Sequence, residues 1–258
     1  MSTQRSGILA AGNFIVDYVK IIDAYPEQDM LASILSESQA NGGGPYNVLK
    51  DLSAMQAGFP LAACGLVGDD ANGRWIRQDC EAHGIDAAQL HLTRERSTSY
   101  TDAMTVQSTG RRTFFHQRGA NALFNESHCQ VGQTSARILH LGYLMLLDHM
   151  DSFATDGRTH AAHLLAAASE AGLQTSVDMV STEHPQFRDI ALSAMPHTDH
   201  LIINEIEASR VLNRAISSSD GSALLTASRD LLALGVRQTV TIHTEHGASA
   251  CTHEKDEH

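Results

Sequence analysis

The amino-acid sequence predicts an α/β fold, in which helices cover both faces of a parallel β-sheet. Through the second half of the chain, short apolar runs of strand length alternate with longer segments of helical periodicity. This alternation is typical of parallel strands that are connected by right-handed helical crossovers. Residues 100–117 differ, because two strand-length segments flank Ser108-Thr109-Gly110. That pattern predicts a hairpin in a small β-element set apart from the main sheet.

Strands and helices alternate less regularly in the first half of the chain. Val48 and Leu52 have helical spacing with Gly58 as a stop signal, and a second helix over residues 71–83 ends at Gly84. The first half therefore contributes both to the main sheet and to the separate β-element. Its predicted strands cover residues 8–13, 15–22, 61–67, 100–107 and 112–117.

The second half contains a regular series of strands and helices. The predicted strands are 138–141, 175–178, 200–203 and 239–242, and the predicted helices are 159–171, 186–193, 205–212 and 222–234. In open α/β sheets, ligands bind beyond the carboxyl ends of the strands. The residues at these ends are therefore the first functional candidates: Asn13, Asp17, Asp69, Asp70, Gly142, Tyr143, Asp178, Asn204 and His243.

Length and charge limit the function classes. A chain of 258 residues fits one α/β domain with a small appendage, or at most two domains. The net charge of −12 argues against nucleic acid as a partner, because phosphate-backbone binding needs clustered Lys and Arg. No apolar stretch approaches membrane-spanning length, and no signal pattern begins the chain. The four cysteines form no C-x-x-C pair, so we expect reduced thiols in a cytoplasmic protein with no membrane partner.

The most informative segment is Asn41-Gly42-Gly43-Gly44-Pro45-Tyr46-Asn47. Three glycines followed by proline predict a tight turn at a helix N-terminus, where the backbone can come close to a bound group. The alternative is a loop that only needs positive φ angles. No G-x-x-x-x-G-K-S/T and no G-x-G-x-x-G occurs, which excludes a P-loop and the usual dinucleotide site.

Several motifs follow one another along the chain. They are Gly12-Asn13 with Asp17, Gly42-Gly43-Gly44 with Asn47, the segment from Gly65 to Gly73, Gly119-Ala120-Asn121, and the segment from Asn204 to Glu207. In this order they resemble the PfkB family of carbohydrate kinases, from about residue 7 to the end of the chain. The Gly-Gly-Gly-x-x-Asn and Gly-x-x-Gly-Asp-Asp segments together are fairly specific, whereas each alone is weak.

The resemblance implies a three-layer α/β/α ribokinase-like fold with a small β-lid. It implies a single domain over residues 1–258, incomplete at its C-terminus, with lid segments at about 14–35 and 97–118. The implied activity is ATP-dependent phosphorylation of a sugar or sugar-like hydroxyl, with Mg²⁺ shielding charge. A lid limits wasteful hydrolysis by excluding water, and in many family members it is also the homodimer contact.

The same resemblance implies which residues bind the sugar. Asp17 would accept hydrogen bonds from sugar hydroxyls, because an ionised carboxylate is purely an acceptor; the alternative is an Asp that caps a turn. Gly42, Gly43 and Asn47 would shape the sugar pocket. Asn13 and Asn121 complete the implied substrate-binding set.

The resemblance also implies a nucleotide and magnesium end of the site. Asn204 and Glu207 match the family's N-x-x-E motif, and their oxygens suit Mg²⁺. The alternative for Asn204 is a plain helix N-cap. Thr244 and Gly247 would contact the nucleotide, although the family's T-x-G-x-x-G turn is only partly matched between Ile242 and Ala248.

One family segment does not occur in this sequence. Family kinases carry a G-A-G-D segment, whose Asp takes the proton from the attacking hydroxyl, and the 258 residues contain no such segment. The catalytic base is therefore unassigned. We expect residues 1–258 to bind sugar but to phosphorylate it poorly. The rival interpretations are a non-catalytic sugar- or nucleoside-binding protein and an inactive kinase fragment.

A second polar cluster follows a predicted strand. It contains Asp148, His149 and Asp151, which could suggest a metal site. Their spacing matches no metal-binding signature, so we interpret this segment as a solvated loop.

Overall fold

The computed structural model describes residues 5–253. Its strands are, in chain order, β1 (Ile8–Gly12), β2 (Ile15–Ile22), β3 (Ile34–Gly42), β4 (Leu61–Gly68), β5 (Ile85–Thr93), β6 (Tyr100–Val106), β7 (Arg112–Gln117), β8 (Ile138–Leu144), β9 (Gln174–Met179), β10 (His200–Asn204), β11 (Thr239–Thr244) and β12 (Gly247–Thr252). Its α-helices are α1 (Gly44–Ala54), α2 (Ala71–Ala82), α3 (Asp148–Asp151), α4 (His160–Glu170), α5 (Phe187–Ala194), α6 (Glu205–Leu212) and α7 (Gly221–Ala233).

The main sheet has eight strands in the order β12-β11-β10-β9-β8-β1-β4-β5. All neighbouring strands are parallel except β11 and β12, which form an antiparallel hairpin at one edge. Parallel strands place their carboxyl ends at the same edge of the sheet. The functional candidates that follow separate strands therefore meet at this carboxyl edge.

Alternate residues of the central strands enter two different hydrophobic cores. In β1, Leu9 and Ala11 belong to the core that α4 to α7 complete. Ile8 and Ala10 belong to the opposite core, which includes Leu49 of α1. Because β1 is buried on both faces, helices lie on both sides of the sheet. The three-layer α/β/α prediction is confirmed.

A second sheet, the lid sheet, has four strands in the order β3-β2-β6-β7. Strand β2 pairs in parallel with β6, while β3 and β7 form the antiparallel edges. Only Asn13 and Phe14 separate β1 from β2, so the lid sheet begins at the carboxyl edge of the main sheet. This sheet contains the predicted hairpin. It also contains β3, which extends to Gly42.

Three strands were not predicted from the sequence: β3, β5 and β12. Strand β3 reads ILSESQANG and is exposed along most of its length, so it lacks the apolar alternation that indicates a half-buried strand. Strand β12 is a short edge strand of small and polar residues. Both are held mainly by backbone pairing with a neighbouring strand, which local sequence does not encode. Within residues 5–253, no helix combines the length and the apolar character needed to cross a membrane.

Candidate functional site

The glycine turn lies at the carboxyl edge, between β3 and α1. Gly43 has φ +98°, and a Cβ atom there would lie 2.1 Å from the carbonyl oxygen of Asn13. Gly43 is also the N-cap of α1 and makes no side-chain cap, while Pro45 occupies the first turn. The sequence prediction of a tight turn at a helix N-terminus is confirmed. The turn needs glycine, because the backbone of Asn13, directly after β1, occupies the space of a side chain.

Asp17 lies in β2, beside this turn. A Cβ atom at Gly42 would lie 2.2 Å from Asp17 Oδ2, so the glycine makes room for the carboxylate. Burial raises the pKa of Asp17, and a hydrogen bond with the Thr101 side chain opposes that rise. Thr101 Oγ1 in turn lies 2.9 Å from His116 Nδ1. The Asp17 carboxylate of β2 is thus hydrogen-bonded to Thr101 of β6, and it lies against Gly42 at the glycine turn.

Asn13 and Asn121 are fully buried and connect the lid sheet to the main sheet. Tyr143 N donates to Asn13 Oδ1 at 2.9 Å, and Asn121 Nδ2 donates to the carbonyl oxygen of Phe14 at 3.1 Å. Asn13 Nδ2 and Asn121 Oδ1 are buried without a hydrogen-bond partner among the described residues. A buried donor and a buried acceptor without partners are costly in a folded protein, and a polar ligand would satisfy both.

Asn47 is placed differently from the other predicted sugar-binding residues. It lies in the first turn of α1, where its backbone N donates to the carbonyl oxygen of Gly43 at 2.9 Å. Asn47 is exposed to solvent. The structure therefore brings its backbone to the glycine turn, and its contact with a sugar stays a prediction.

The second group of candidates lies further along the carboxyl edge, where β10 ends. Asn204 caps α6, since its Oδ1 accepts from Ile206 N and Glu207 N at 2.9 Å each. Glu207 completes the capping box, because its Oε2 accepts from Asn204 N at 2.8 Å. The helix-cap alternative for Asn204 is thus present in the structure. The magnesium role of Glu207 stays a prediction.

Glu207 is almost completely buried and its carboxylate is well hydrogen-bonded. Its Oε1 accepts from Ser181 Oγ and from Asn204 Nδ2, at 2.9 Å each. Burial raises the pKa of Glu207, against the effect of these hydrogen bonds and of His243. Ser181 follows β9 and was not singled out by the sequence, because a serine in a loop carries no signal of its own.

Asp178 and Tyr143 join the two ends of the edge. Burial, followed by the nearby charge of Glu207, raises the pKa of Asp178 to about 7. Burial also raises the pKa of Tyr143 to about 12, with contributions from Asp178, Glu207 and Asp17. The pKa of Tyr143 is therefore raised by carboxylates at both ends of the edge. Its ring also packs on the glycine turn, since a Cβ atom at Gly44 would lie 3.0 Å from it.

Thr244 and Gly247 close the hairpin between β11 and β12. They are paired in the register of these strands, and Thr244 Oγ1 accepts from His246 N at 3.1 Å. Asn204 pairs with His243 in the adjacent register. The structure therefore brings the predicted nucleotide residues to the same end of the edge as Asn204.

Asp69 and Asp70 have structural partners rather than a free position at the edge. Asp70 Oδ1 accepts from Gly73 N at 2.9 Å and caps α2, and its Oδ2 accepts from Thr98 N at 2.7 Å. Asp69 forms ion pairs with Arg74 and Arg94. These two carboxylates hold the chain that enters β6 of the lid sheet.

The interpretation of Asp148, His149 and Asp151 as a solvated loop is wrong. These residues form the short helix α3, in which Asp151 is only 5% exposed and accepts from Leu147 N at 2.9 Å. Asp148 pairs with Arg118 at 2.7 Å. The sequence pattern could not show this, because the partners lie outside the segment.

Comparisons with known proteins agree with this fold. The model of the "pfkB family carbohydrate kinase" family matches residues 10–258. The chain is 29% identical over 171 residues to an ATP-dependent ribose-1-phosphate kinase of Halopiger xanaduensis, covering 66% of this chain and 53% of the relative. It is 28% identical over 113 residues to ketohexokinase of Mus musculus, covering 43% of this chain and 36% of the relative. The chain thus spans about half the length of the first of these relatives and about a third of the length of the second.

Solved structures show the same fold at low sequence identity. The structure of Arabidopsis thaliana ribokinase complexed with ribose and ATP has a TM-score of 0.75 at 20% identity, covering 98% of this chain and 76% of that one. Fructokinase with bound ATP from Xylella fastidiosa has a TM-score of 0.70 at 18% identity, covering 97% and 76%. With a family match over nearly the whole chain, this protein belongs to the pfkB family of carbohydrate kinases.

Proposed function

We propose that this chain contributes the acceptor site of an ATP-dependent kinase that phosphorylates a hydroxyl of a sugar or sugar-like alcohol. Its family and its relatives, named for ribose 1-phosphate and ketohexose, support a sugar as the acceptor class. The family model covers residues 10–258, which favours one domain over residues 1–258, with lid segments at about 14–35 and 97–118.

One observation carries the proposal: a carboxylate and two buried polar atoms without partners among the described residues lie near the glycine turn. Asp17 presents a carboxylate, Asn13 a donor and Asn121 an acceptor, and both asparagine atoms are buried without partners among the described residues. A polyol offers hydroxyls that can donate and accept at once. Gly42 and Gly43 let the backbone approach this ligand, and Asn47 lies one turn into α1.

The carboxylates at the other end fit a magnesium ion. Burial raises the pKa of both Asp178 and Glu207, and the charge of Glu207 raises the pKa of Asp178 further, so a bound cation would lower the cost of ionising them. Because Glu207 oxygens already accept three hydrogen bonds, Asp178 has the freer carboxylate of the two. When bound, ATP would supply the phosphoryl group and Mg²⁺ would shield its charge. Asn204, Thr244 and Gly247 would contact the nucleotide at this end.

The lid sheet supports two further parts of the proposal. It would cover the sugar and exclude water from the reacting groups. Its outer strands also expose large apolar side chains, which favour a homodimer formed through the lid: Ile34, Leu35, Phe114 and Phe115. We place the protein in the cytoplasm, because the four cysteines form no C-x-x-C pair.

Calorimetry with a panel of pentoses, hexoses, their phosphates and nucleosides tests the acceptor site. We expect a member of the panel to bind the wild-type chain and to bind the Asp17→Ala variant much more weakly. A panel in which nothing binds, or binds both proteins equally, would refute the acceptor site.

An assay of ATP-dependent phosphorylation of the bound compound separates the kinase from its rival. Phosphorylation that requires Mg²⁺ supports the kinase. Binding without any phosphorylation above background, in the presence of ATP and Mg²⁺, would favour one of the two rivals, a non-catalytic sugar- or nucleoside-binding protein or an inactive kinase fragment. None of the described residues is assigned as the catalytic base, so we expect this phosphorylation to be weak.

A further inference from the structure

A cluster of histidines surrounds one carboxylate on the α4 side of the molecule, away from the glycine turn. Glu126 lies in a 3₁₀ turn (Glu126–His128), His149 lies in α3, and His160 is the first residue of α4. One potential ligand atom of each residue lies within 4.8 Å of those of the other two. Three separate segments thus direct nitrogen and oxygen donors to one point.

The contacts within this cluster are close. His160 Nδ1 lies 2.6 Å from Glu126 Oε1, and His149 Nε2 lies 3.7 Å from Glu126 Oε2. The rings of His149 and His160 are 4.3 Å apart between centroids. Their side chains are 42% and 25% exposed and that of Glu126 is 31% exposed, so an ion from solvent can reach all three.

A third imidazole, His163, faces the same carboxylate. Its Nε2 lies 3.0 Å from Asp156 Oδ2, and its Nδ1 lies 3.9 Å from Glu126 Oε1. If Nε2 carries the proton donated to Asp156, the lone pair of Nδ1 is directed toward Glu126. A carboxylate that orients a histidine in this way is typical of the outer sphere of metal sites.

Ion pairing alone explains this arrangement poorly. One carboxylate can neutralise one protonated imidazole, and further protonated rings at this separation would repel one another. Neutral imidazoles avoid the repulsion, because each can donate one N–H to the carboxylate, as in the contact between His160 Nδ1 and Glu126 Oε1. The other nitrogen of each ring then keeps a lone pair close to the carboxylate. A divalent cation stabilises such a set of donors.

We propose that Glu126, His149 and His160 bind a divalent transition-metal ion of the zinc type, with His163 or water as a fourth ligand. Two imidazoles and one carboxylate are donors that Zn²⁺ takes in tetrahedral sites. Mg²⁺ prefers oxygen ligands and retains its waters, so this site would discriminate against it. The site uses none of the residues proposed for sugar, nucleotide or magnesium binding.

Such an ion would connect the 3₁₀ turn, α3 and α4. The neighbouring Asp148 of α3 pairs with Arg118, which follows β7 of the lid sheet directly. The ion would therefore stabilise the segment on which one end of the lid sheet rests.

Calorimetric titration of the chelator-treated protein with ZnCl₂ tests the site. We expect one Zn²⁺ per chain, an affinity reduced by roughly tenfold or more in His149→Ala and in His160→Ala, and no displacement by MgCl₂. The matched control is His83→Ala, because His83 has one carboxylate nearby, Asp79 at 3.6 Å, and a lysine rather than a second histidine beside it. It should bind Zn²⁺ like the wild type.

Replacing Zn²⁺ by Co²⁺ gives a second readout that does not depend on stability. We expect a visible d–d absorption band that disappears in Glu126→Gln and His160→Ala, with far-UV circular dichroism unchanged. Binding of Zn²⁺ that is equal in wild type, His149→Ala and His160→Ala, or no binding by the wild type, would overturn the proposal.

Discussion

The two ends of the carboxyl edge are built in different ways. At the glycine end, backbone and side chains are so close that a Cβ atom at Gly43 or Gly42 would collide with Asn13 or Asp17. At the carboxylate end, hydrogen bonds hold Glu207, and its charge raises the pKa of Asp178. The first end depends on shape and the second on electrostatics. Substitutions at the two ends should therefore change different measured properties.

The largest effect is expected from Gly43→Ala. The new Cβ atom would meet the carbonyl oxygen of Asn13 at 2.1 Å, and φ is +98°, so backbone must move. We expect a loss of about 4 kcal/mol in the free energy of unfolding, measured by urea denaturation. Gly110→Ala is the control, because Gly110 has φ +68° with nothing within 4 Å. It should cost only about 1 kcal/mol.

Equal losses in these two variants would contradict the comparison. They would show that positive φ alone sets the cost at Gly43. The close approach of Asn13 to the glycine turn would then make no contribution to stability.

The second effect concerns ligand binding rather than stability. Asp17→Ala should weaken binding of the sugar by about 2–4 kcal/mol, because hydroxyls of the bound sugar would be left without a hydrogen-bond partner. Gly42→Ala should also weaken binding, since its Cβ atom would displace Asp17 Oδ2. Calorimetry measures both effects. Asp86→Ala, which removes an exposed carboxylate from β5, is the control and should bind sugar normally.

The third effect is a pH dependence at the carboxylate end. The pKa of Asp178 is about 7 in the folded protein and its ordinary value is 3.8, so folding favours its protonated form. Its contribution to stability is therefore complete below about pH 4 and is lost as the pH rises through about 7. Asp178→Asn removes this loss. In EDTA, the free energy of unfolding of the variant relative to that of wild type should increase by on the order of 1 kcal/mol as the pH rises from 5 to 8.

Thermal unfolding at both pH values measures this gain, with Asp86→Asn as the exposed control. A variant that gains equally at both pH values would show that packing, and not charge, is responsible. Adding MgCl₂ at pH 8 should stabilise wild type more than Asp178→Asn, because the cation compensates the paired carboxylates.

The smallest effect is expected from Glu207→Gln. Loss of one charge near Asp178 should raise the Mg²⁺ concentration needed for half-maximal stabilisation or turnover by a few fold, while the cap of α6 weakens by about 1 kcal/mol. Glu205→Gln is matched to it, since Glu205 lies in the same helical turn. Superimposable magnesium titrations for wild type and Glu207→Gln would reduce Glu207 to a helix cap.

Much of the fold follows from local pattern. The alternation of buried strands and amphipathic helices in the second half, the hairpin at Ser108-Thr109-Gly110 and the helix after Gly43 are all properties of neighbouring residues. The glycine end could also be predicted from the sequence, because glycine before a helix indicates close backbone approach. Strands β3 and β12 could not be predicted from the sequence, since pairing with another strand holds them in place.

The candidate site divides in the same way. The positions of Asn13 and Asn204 at the ends of strands predicted that they lie at one edge, and the structure brings them there. Asp17 lies within β2 of the lid sheet and reaches this edge through its contact with Gly42. Their partners were not predictable. Ser181 and Thr101 are ordinary polar residues until the fold places them beside Glu207 and Asp17.

By itself, the sequence determined the layer architecture, the family and the glycine turn, because these depend on periodicity, residue order and backbone freedom. Only the tertiary structure decided which polar atoms are left without partners and which charges face each other. The pKa of Asp178 and the meeting of Glu126 with His149 and His160 depend on burial and on distances between segments far apart in the chain. Desolvation and Coulomb interactions act through space, so the order of residues does not specify them.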